Sequence, residues 1–188
     1  MSTGIKRRLS VDQYEQMVKH GILPETNRFE LINGRIVEKD VKQPPHCVAT
    51  SLTHDTIGQL RPAGWHIRQE APVRIPNRRS EPKPDLSVVR GVVRDYAARH
   101  PDPADIALVV EVTRTTAAKD RGLARRVYGP GGIPVCWIVN VPRRRLEVYS
   151  NPTAGGYPPP QILGESEAVE LVIGGQVLGR IAVADLLS

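Results

Sequence analysis

The strongest apolar stretches in the chain are two unbroken runs in its second half, 106–113 and 134–141. Runs of this length, rich in valine and isoleucine, are typical of strands that are buried on both faces of a sheet. A shorter apolar run, 85–89, follows a charged, proline-rich loop, and 146–149 follows a Pro-Arg-Arg turn. Together these four segments predict the centre of a β-sheet.

Helical spacing of apolar residues is found between and before these runs. Ser10 and Gln13 have the pattern of a capping box at the start of a helix. Thr115 or Thr116 can serve as the N-cap of a later helix. We predict helices over residues 11–20, 46–60, 92–99 and 116–128.

The remaining segments predict further strands and turns. Asn33-Gly34 favours a type I′ turn, because both residues tolerate positive φ angles, and it separates the short apolar runs 29–32 and 35–38. A strand group is expected over 65–75, and short strands with a helical turn near Ala184 at the end of the chain. The order of elements predicts a single α/β domain over residues 1–188, with a mixed central β-sheet flanked by helices on one or both faces.

Composition limits the classes of function. The formal charge of +6 and the arginine clusters favour a polyanionic partner, although arginine-rich surfaces also occur without any such role. Aromatic residues make up only 4% of the chain, which argues against a platform for base stacking. The N-terminus lacks the apolar stretch of a signal peptide, and no run approaches the roughly 18 apolar residues of a membrane span. We therefore expect a cytoplasmic protein that does not bind membranes.

Three acidic residues interrupt apolar strands near their ends: Glu30, Asp85 and Glu111. Adjacent strands of one sheet could bring them together, and clusters of oxygen ligands bind Mg²⁺. Such a metal can polarise a phosphoryl oxygen and lower the pKa of water. Each acid taken singly could instead form an ion pair with one of the 26 lysines and arginines.

The sequence resembles a nuclease family through these same residues. Pro84-Asp85 followed by Val110-Glu111-Val112 is similar to the metal-binding half of the PD-(D/E)XK nuclease superfamily. Nearly the whole chain is similar, more closely, to the Uma-type bacterial restriction endonuclease family. The matching segments include the hairpin 29–37, Pro44-Pro45-His46, 81–89, 104–112, Asp120-Arg121-Gly122, Gly132-Ile133-Pro134 and 137–149.

The resemblance implies a restriction-endonuclease-like core and hydrolysis of DNA phosphodiester bonds by a metal-activated water. It implies that Asp85 and Glu111 bind Mg²⁺ or Mn²⁺, with Glu30 as an additional acid. His46 would lie near this site, although a packing or capping role at the helix start is an equal alternative. The resemblance also implies a homodimer, since many nucleases of this fold cut two strands as dimers.

One expected residue is missing. The superfamily usually has a lysine two residues after the second acid, where this chain has Thr113, and the resembling family has it where this chain has Ala124. Loss of this cation removes a group that offsets negative charge in the transition state. Lys83 and Lys119 are candidate replacements, and ordinary surface lysines are the alternative for both.

Three hypotheses remain open from the sequence. The chain is a metal-dependent endonuclease, or a catalytically impaired nucleic-acid-binding module on the same fold, or a structural domain whose acids pair with arginines. A metal response separates the third hypothesis from the first two, and cleavage separates the first from the second.

Overall fold

The computed structural model describes residues 8–24, 28–39, 41–113 and 117–188. The helices are α1 (Val11–Lys19), α2 (Pro44–Leu60) and α3 (Ala118–Leu123), which continues as a π-helical segment, Ala124–Tyr128. The strands are β1 (Phe29–Ile32), β2 (Arg35–Glu38), β3 (Trp65–Gln69), β4 (Leu86–Arg90), β5 (Ile106–Thr113), β6 (Val135–Asn140), β7 (Arg145–Ser150), β8 (Gln161–Gly164), β9 (Ala168–Ile173) and β10 (Gln176–Ala182).

Six of these strands form a central sheet in the order β3-β4-β5-β6-β7-β8. β5 and β6 run parallel, joined by the segment that contains α3, and the other neighbouring pairs in this sheet are antiparallel. The sheet is therefore mixed, and the predicted α/β fold with a mixed central sheet is confirmed. The hairpins β1-β2 and β9-β10 lie outside this sheet as separate two-stranded units.

Each face of the central sheet is covered by a different set of elements. On one face, Ala49 and Ile57 of α2 pack with Val110 and Trp137, together with the β9-β10 hairpin. On the other face, the α3 and π-helical segment contributes Val127 and other apolar residues, which pack on Val109, Ile138 and their neighbours. Helices therefore cover both faces, and β5, buried along its whole length, lies between the two cores.

Two hairpin features place the first acid near the sheet. Asn33 and Gly34 have φ angles of 49° and 74°, as the predicted type I′ turn requires. Leu31 pairs through its backbone with Glu81, in the loop that leads into β4. The β1-β2 hairpin is thereby attached beside the entry to β4.

Several element boundaries differ from the sequence-based expectation. The predicted helix over 92–99 is only a 3₁₀ turn, Val93–Tyr96, because Val92 and Val93 are exposed and only Tyr96 packs against a core. The strand expected over 65–75 ends at Gln69, since Glu70 adopts a left-handed conformation with φ of 49°. The proposed caps Thr115 and Thr116 lie outside the described residues. None of the helices within the described ranges has the length and apolarity needed to cross a lipid bilayer.

Candidate functional site

Asp85 and Glu111 are brought together by the antiparallel pairing of β4 with β5. Leu86 lies opposite Val110, so that one further step of this register places Asp85 across from Glu111. The backbone N–H of Val112 donates to Oδ2 of Asp85 at 2.7 Å. Asp85 immediately precedes β4, and its carboxylate is therefore oriented by the backbone of the neighbouring strand.

Glu30 reaches the same region from the β1-β2 hairpin. Its Oε1 accepts a hydrogen bond from the backbone N–H of Lys83 at 2.7 Å and lies 3.7 Å from Nζ of Lys39. Lys39 also donates to the carbonyl oxygen of Lys83 at 2.5 Å. Glu30 thus ties the hairpin to the loop before β4, which occupies one of its carboxylate oxygens.

The three predicted acids line one cavity of about 440 Å³. We refer to this cavity as the acidic pocket. It opens at the edge of the sheet where β4 begins and β5 ends. Its lining residues are Glu30, Lys39, Val41, Lys42, Gln43, His46, Asp85, Glu111, Val112, Thr113, Lys119, Asp120 and Leu123.

Asp85 is the acid with the strongest cationic surroundings. Lys42 Nζ lies 2.5 Å from its Oδ1, and His46 Nε2 donates to its Oδ2 at 3.0 Å. Burial alone would raise the pKa of Asp85, but the hydrogen bond from His46 and the charge of Lys42 hold it below its usual value. Asp85 is therefore ionised across the physiological pH range. Lys42 is also paired with Glu70, at 2.7 Å.

Glu111 has the opposite electrostatic environment. Burial and the negative charges of Asp85 and Asp120 raise its pKa well above the ordinary value, against the smaller effects of Lys39 and of a hydrogen bond from Tyr128. The Tyr128 hydroxyl donates to Oε1 of Glu111 at 2.5 Å. Burial and the charge of Asp85 likewise raise the pKa of Asp120 to about 6. The pocket therefore contains carboxylates that repel one another.

These carboxylates fit a divalent cation held by few protein ligands. Within the described ranges, no group of three or more histidine, cysteine, aspartate or glutamate side chains is placed to hold a metal ion. The preassembled three-acid cluster expected from the sequence is therefore not present there, and Glu30 is engaged by the Lys83 backbone. Mg²⁺ is usually bound through one or two carboxylates together with water and substrate phosphate, a donor set that Asp85 and Glu111 can supply. A cation between them would also remove the repulsion that raises the pKa of Glu111.

The two predicted replacement lysines occupy different places. Lys119 lines the pocket from the first turn of α3. Lys83 does not line it. Lys83 lies in the loop before β4, which starts at Leu86, and its charge acts on the pKa of Glu81 and of His100. Ala124 is fully buried among apolar residues, four residues after Asp120 and on the same side of the helical segment.

The sequence-based reading missed Lys39, Lys42 and Asp120. Lys39 and Lys42 belong to the segment between β2 and α2. Lys39 contacts Glu30 and the carbonyl oxygen of Lys83, and Lys42 contacts Asp85, and no local sequence signal marks the contacts with Lys83 and Asp85. Asp120 had a signal, since it lies in the Asp-Arg-Gly run used for the family resemblance. His46, for which a packing role was an equal alternative, contacts Asp85 directly.

A family comparison covers almost the whole chain. Residues 11–183 match the family Uma2, described as "Putative restriction endonuclease". The chain belongs to the Uma2 family. This confirms the family to which the sequence was found to be similar. No protein among the curated ones matches.

A solved structure shares the fold of this Uma2 member. It is described as a putative nuclease from Anabaena variabilis ATCC 29413 and is 16% identical to this chain. The match covers 95% of this chain and 97% of the other, with a TM-score of 0.71. At this level of identity the likeness shows the fold.

Proposed function

We propose that this Uma2 chain is a metal-dependent endonuclease that hydrolyses DNA phosphodiester bonds at the acidic pocket. The observation that carries the proposal is the placement of Asp85 and Glu111 at adjacent strand ends with opposite shifts in pKa. Pairs of acids with opposed environments are typical of sites where charge is used in catalysis. The family description supports the choice of a nuclease.

Asp85 and Glu111 would hold Mg²⁺ or Mn²⁺, and Asp120 lies close enough to add negative charge. When bound, such an ion polarises the phosphoryl group and lowers the pKa of water. Glu30, held by the Lys83 backbone N–H, would stay outside the direct ligands and act with Lys39 to fix the wall of the pocket.

The neighbouring side chains would keep the two ligands in place. Val112 N–H and His46 fix the orientation of the Asp85 carboxylate through its Oδ2. The buried hydroxyl of Tyr128 holds one oxygen of Glu111 and leaves the other for a cation. Ligands oriented by a surrounding shell of hydrogen bonds need less reorganisation when the metal and phosphate bind.

We propose that Lys42 replaces the lysine that the family has at the position of Ala124. Its ammonium lies in the pocket at Asp85, whereas Lys83 does not line the pocket and Lys119 lines it from α3. Burial opposes the charged form, but Asp85 and Glu70 together raise its pKa, so Lys42 stays protonated. A fixed ammonium here would offset negative charge on the phosphate during hydrolysis. It would act as a positive charge and not as a base.

One observation favours a second candidate, a DNA-binding module that does not cut. Both oxygens of Asp85 already have partners, namely Lys42 on Oδ1 and His46 with the Val112 N–H on Oδ2. If Lys42 remained in place, it would occupy a position that a metal needs. The acidic pocket could then not bind a metal or catalyse hydrolysis, while the basic surface could still bind nucleic acid.

A plasmid nicking assay with Mn²⁺ separates the two candidates. We expect the native chain to nick supercoiled DNA, Asp85→Asn to be inactive, and Lys42→Met to lose roughly a hundredfold in rate. Lys19→Met, which removes an exposed lysine at the end of α1, is the matched control and should cut as the native chain does. Cleavage by Ala124→Lys alone would favour the non-cutting module instead.

Two further features belong to the same proposal. Cutting both strands of a duplex would require a second site, and a homodimer would supply it. Sedimentation velocity with and without a DNA duplex measures this directly. We propose the cytoplasm as the location of this reaction.

A further inference from the structure

A second cavity, of about 390 Å³, adjoins the acidic pocket and has a different chemical character. The β1-β2 hairpin forms one wall, and α3 with the π-helical segment forms the other. Lys119 and Leu123 line both cavities, so the two adjoin at these side chains. Its lining residues are Arg8, Ile32, Asn33, Arg35, Val37, Lys119, Gly122, Leu123, Arg126 and Val127. We refer to it as the basic groove.

The charges along the basic groove have a single sign. Arg8, Arg35, Lys119 and Arg126 are exposed cations, and no aspartate or glutamate is among the described residues that line it. Like charges that converge on one surface repel each other unless an anion binds between them. This arrangement therefore favours a polyanion and not a neutral ligand.

Some arginines elsewhere on the molecule are neutralised by acids. Arg74, Arg99, Arg121, Arg144 and Arg145 each form an ion pair with aspartate or glutamate. In contrast, no ion pair joins Arg35 or Arg126 to an acid within the described part of the chain. Within the described residues, the charges of Arg35 and Arg126 are therefore left for an anion from outside the chain.

Two local features position arginine side chains along the groove. The guanidinium of Arg126 lies over Gly122, where an added Cβ would come within 3.0 Å of its terminal nitrogen. The guanidinium of Arg8 donates to the carbonyl oxygen of Asn33 at the hairpin turn, which fixes it at the rim. The lining contains no aromatic residue, so bases have no ring to stack on. Contacts here would be made to phosphates.

We infer that the basic groove binds the sugar-phosphate backbone of the DNA strand on one side of the bond placed in the acidic pocket. This inference rests on the proposed function for its choice of DNA. Lys119, at the junction, would contact the phosphate next to the scissile one, and Arg35 and Arg126 would contact phosphates further along. Because phosphates carry no sequence information, this surface positions the strand without reading its bases.

The test is the salt dependence of DNA binding, measured without metal. A labelled duplex of about 20 base pairs is titrated with the native chain, in EDTA, and binding is followed by fluorescence anisotropy. The double variant Arg35→Gln, Arg126→Gln should bind roughly tenfold or more weakly near 0.1 M salt. Its slope of log K against log salt should be smaller by about two, one unit per lost phosphate contact.

Two control proteins make the result specific to the groove. Arg94→Gln with Arg180→Gln removes the same number of exposed arginines at places that do not line the groove, and should leave the slope near the native value. Arg35→Lys with Arg126→Lys keeps both charges and should also keep the slope. Circular dichroism verifies that each protein is folded.

The outcomes separate this inference from the nuclease proposal. If the native chain binds DNA through the groove and cuts nothing, the groove is supported and the nuclease proposal fails. If the chain cuts DNA but the groove variant binds no more weakly than the Arg94, Arg180 control, the groove inference is overturned alone. A native chain that does not bind DNA in EDTA also overturns it.

Discussion

Glu111 and Glu147 occupy equivalent positions on either side of the same strand. Ile138 of β6 is the pairing partner of Glu111 on one side and of Glu147 on the other. The two glutamates therefore lie in one row of the sheet, two strands or roughly 10 Å apart. Both are almost completely buried, with exposed fractions of 7% and 1%. Their position in the fold is nearly the same, and their surroundings are not.

Glu147 is neutralised by side chains that converge on it. Arg121 donates to both of its oxygens, and Arg145 and Asn140 donate to Oε1. Burial would raise its pKa, but the hydrogen bonds of Arg121 and the other donors lower it to about 2. Glu147 is therefore a buried acid held in an ion pair with arginine, which stabilises the fold.

Glu111 shares its environment with other acids, and no arginine among the described residues forms an ion pair with it. Burial, Asp85 and Asp120 raise its pKa, and Tyr128 supplies a neutral hydrogen bond. A buried carboxylate disfavoured in this way costs stability unless a cation is supplied from outside. The comparison teaches that the partners of an acid, and not its burial or its place in a strand, distinguish a binding site from a structural ion pair.

The largest expected effect concerns cleavage. Glu111→Gln should lower the rate of plasmid nicking with Mn²⁺ by about 1000-fold, because a metal ligand is lost. Glu147→Gln, the same chemical change in the same row of the sheet, should leave the rate within about threefold of native at a temperature where the protein is folded. Equal losses in the two variants would remove the distinction between the two acids.

Breaking the ion pair between Arg121 and Glu147 should lower the stability of the folded protein. Arg121→Met should reduce the free energy of unfolding by about 2 kcal/mol, because Glu147 stays buried with fewer donors. This loss is smaller than the usual cost of a broken buried ion pair, because Arg145 and Asn140 still donate to Glu147. Arg144→Met removes a similar two-pronged pair to Glu165 on the surface and is the matched control, with no measurable loss expected. Urea denaturation monitored by circular dichroism measures both.

Neutralising an acid of the acidic pocket should raise the free energy of unfolding. Without metal, Glu111→Gln should raise the free energy of unfolding by about 1 kcal/mol near pH 7, since it removes a buried carboxylate repelled by Asp85 and Asp120. The amide can still accept the hydrogen bond from Tyr128. A destabilised Glu111→Gln variant in the same urea experiment would show that Glu111 already has its full set of partners.

The pH dependence of stability should distinguish the two acids by its direction. The folded-state pKa of Glu147 is lowered from 4.5 to about 2, so its contribution is present above about pH 4.5 and is lost as pH falls towards 2. The folded-state pKa of Glu111 is raised, so its contribution is present below about pH 4.5 and is lost as pH rises. As pH rises from about 4 to 7, the free energy of unfolding of Glu147→Gln should fall further below that of the native chain. Over the same range, that of Glu111→Gln should rise above the native value. Urea titrations across this range test both directions.

Much of the fold was predictable because its signals are local. The β5 run from Ile106 to Thr113 and the Asn33-Gly34 turn carry their structure in their own residues, and both predictions are confirmed. The helix predicted over 92–99 is wrong because its weak local pattern is matched by little burial, with Val92 and Val93 both exposed.

The candidate site was predictable in part, for the same physical reason. Asp85 and Glu111 stand out as charges against buried strands, which a sequence shows directly. The contact of Lys42 with Asp85 depends on how the segment before α2 folds across the sheet edge, and no spacing along the chain encodes it. The contact of Arg121 with Glu147 has no local signal either, because it joins α3 to β7.

The most direct test of the central claim is the effect of Mn²⁺ on thermal unfolding of four proteins: the native chain, Asp85→Asn, Glu111→Gln and Glu147→Gln. At a metal concentration about 100 times Kd, a ligand that binds only the folded state adds about 2.7 kcal/mol, or roughly 5 to 10 °C in Tm for a chain of this size. We predict this rise for the native chain and Glu147→Gln, and none for Asp85→Asn and Glu111→Gln. Absence of a rise in the native chain, or an equal rise in Glu111→Gln, would contradict the account.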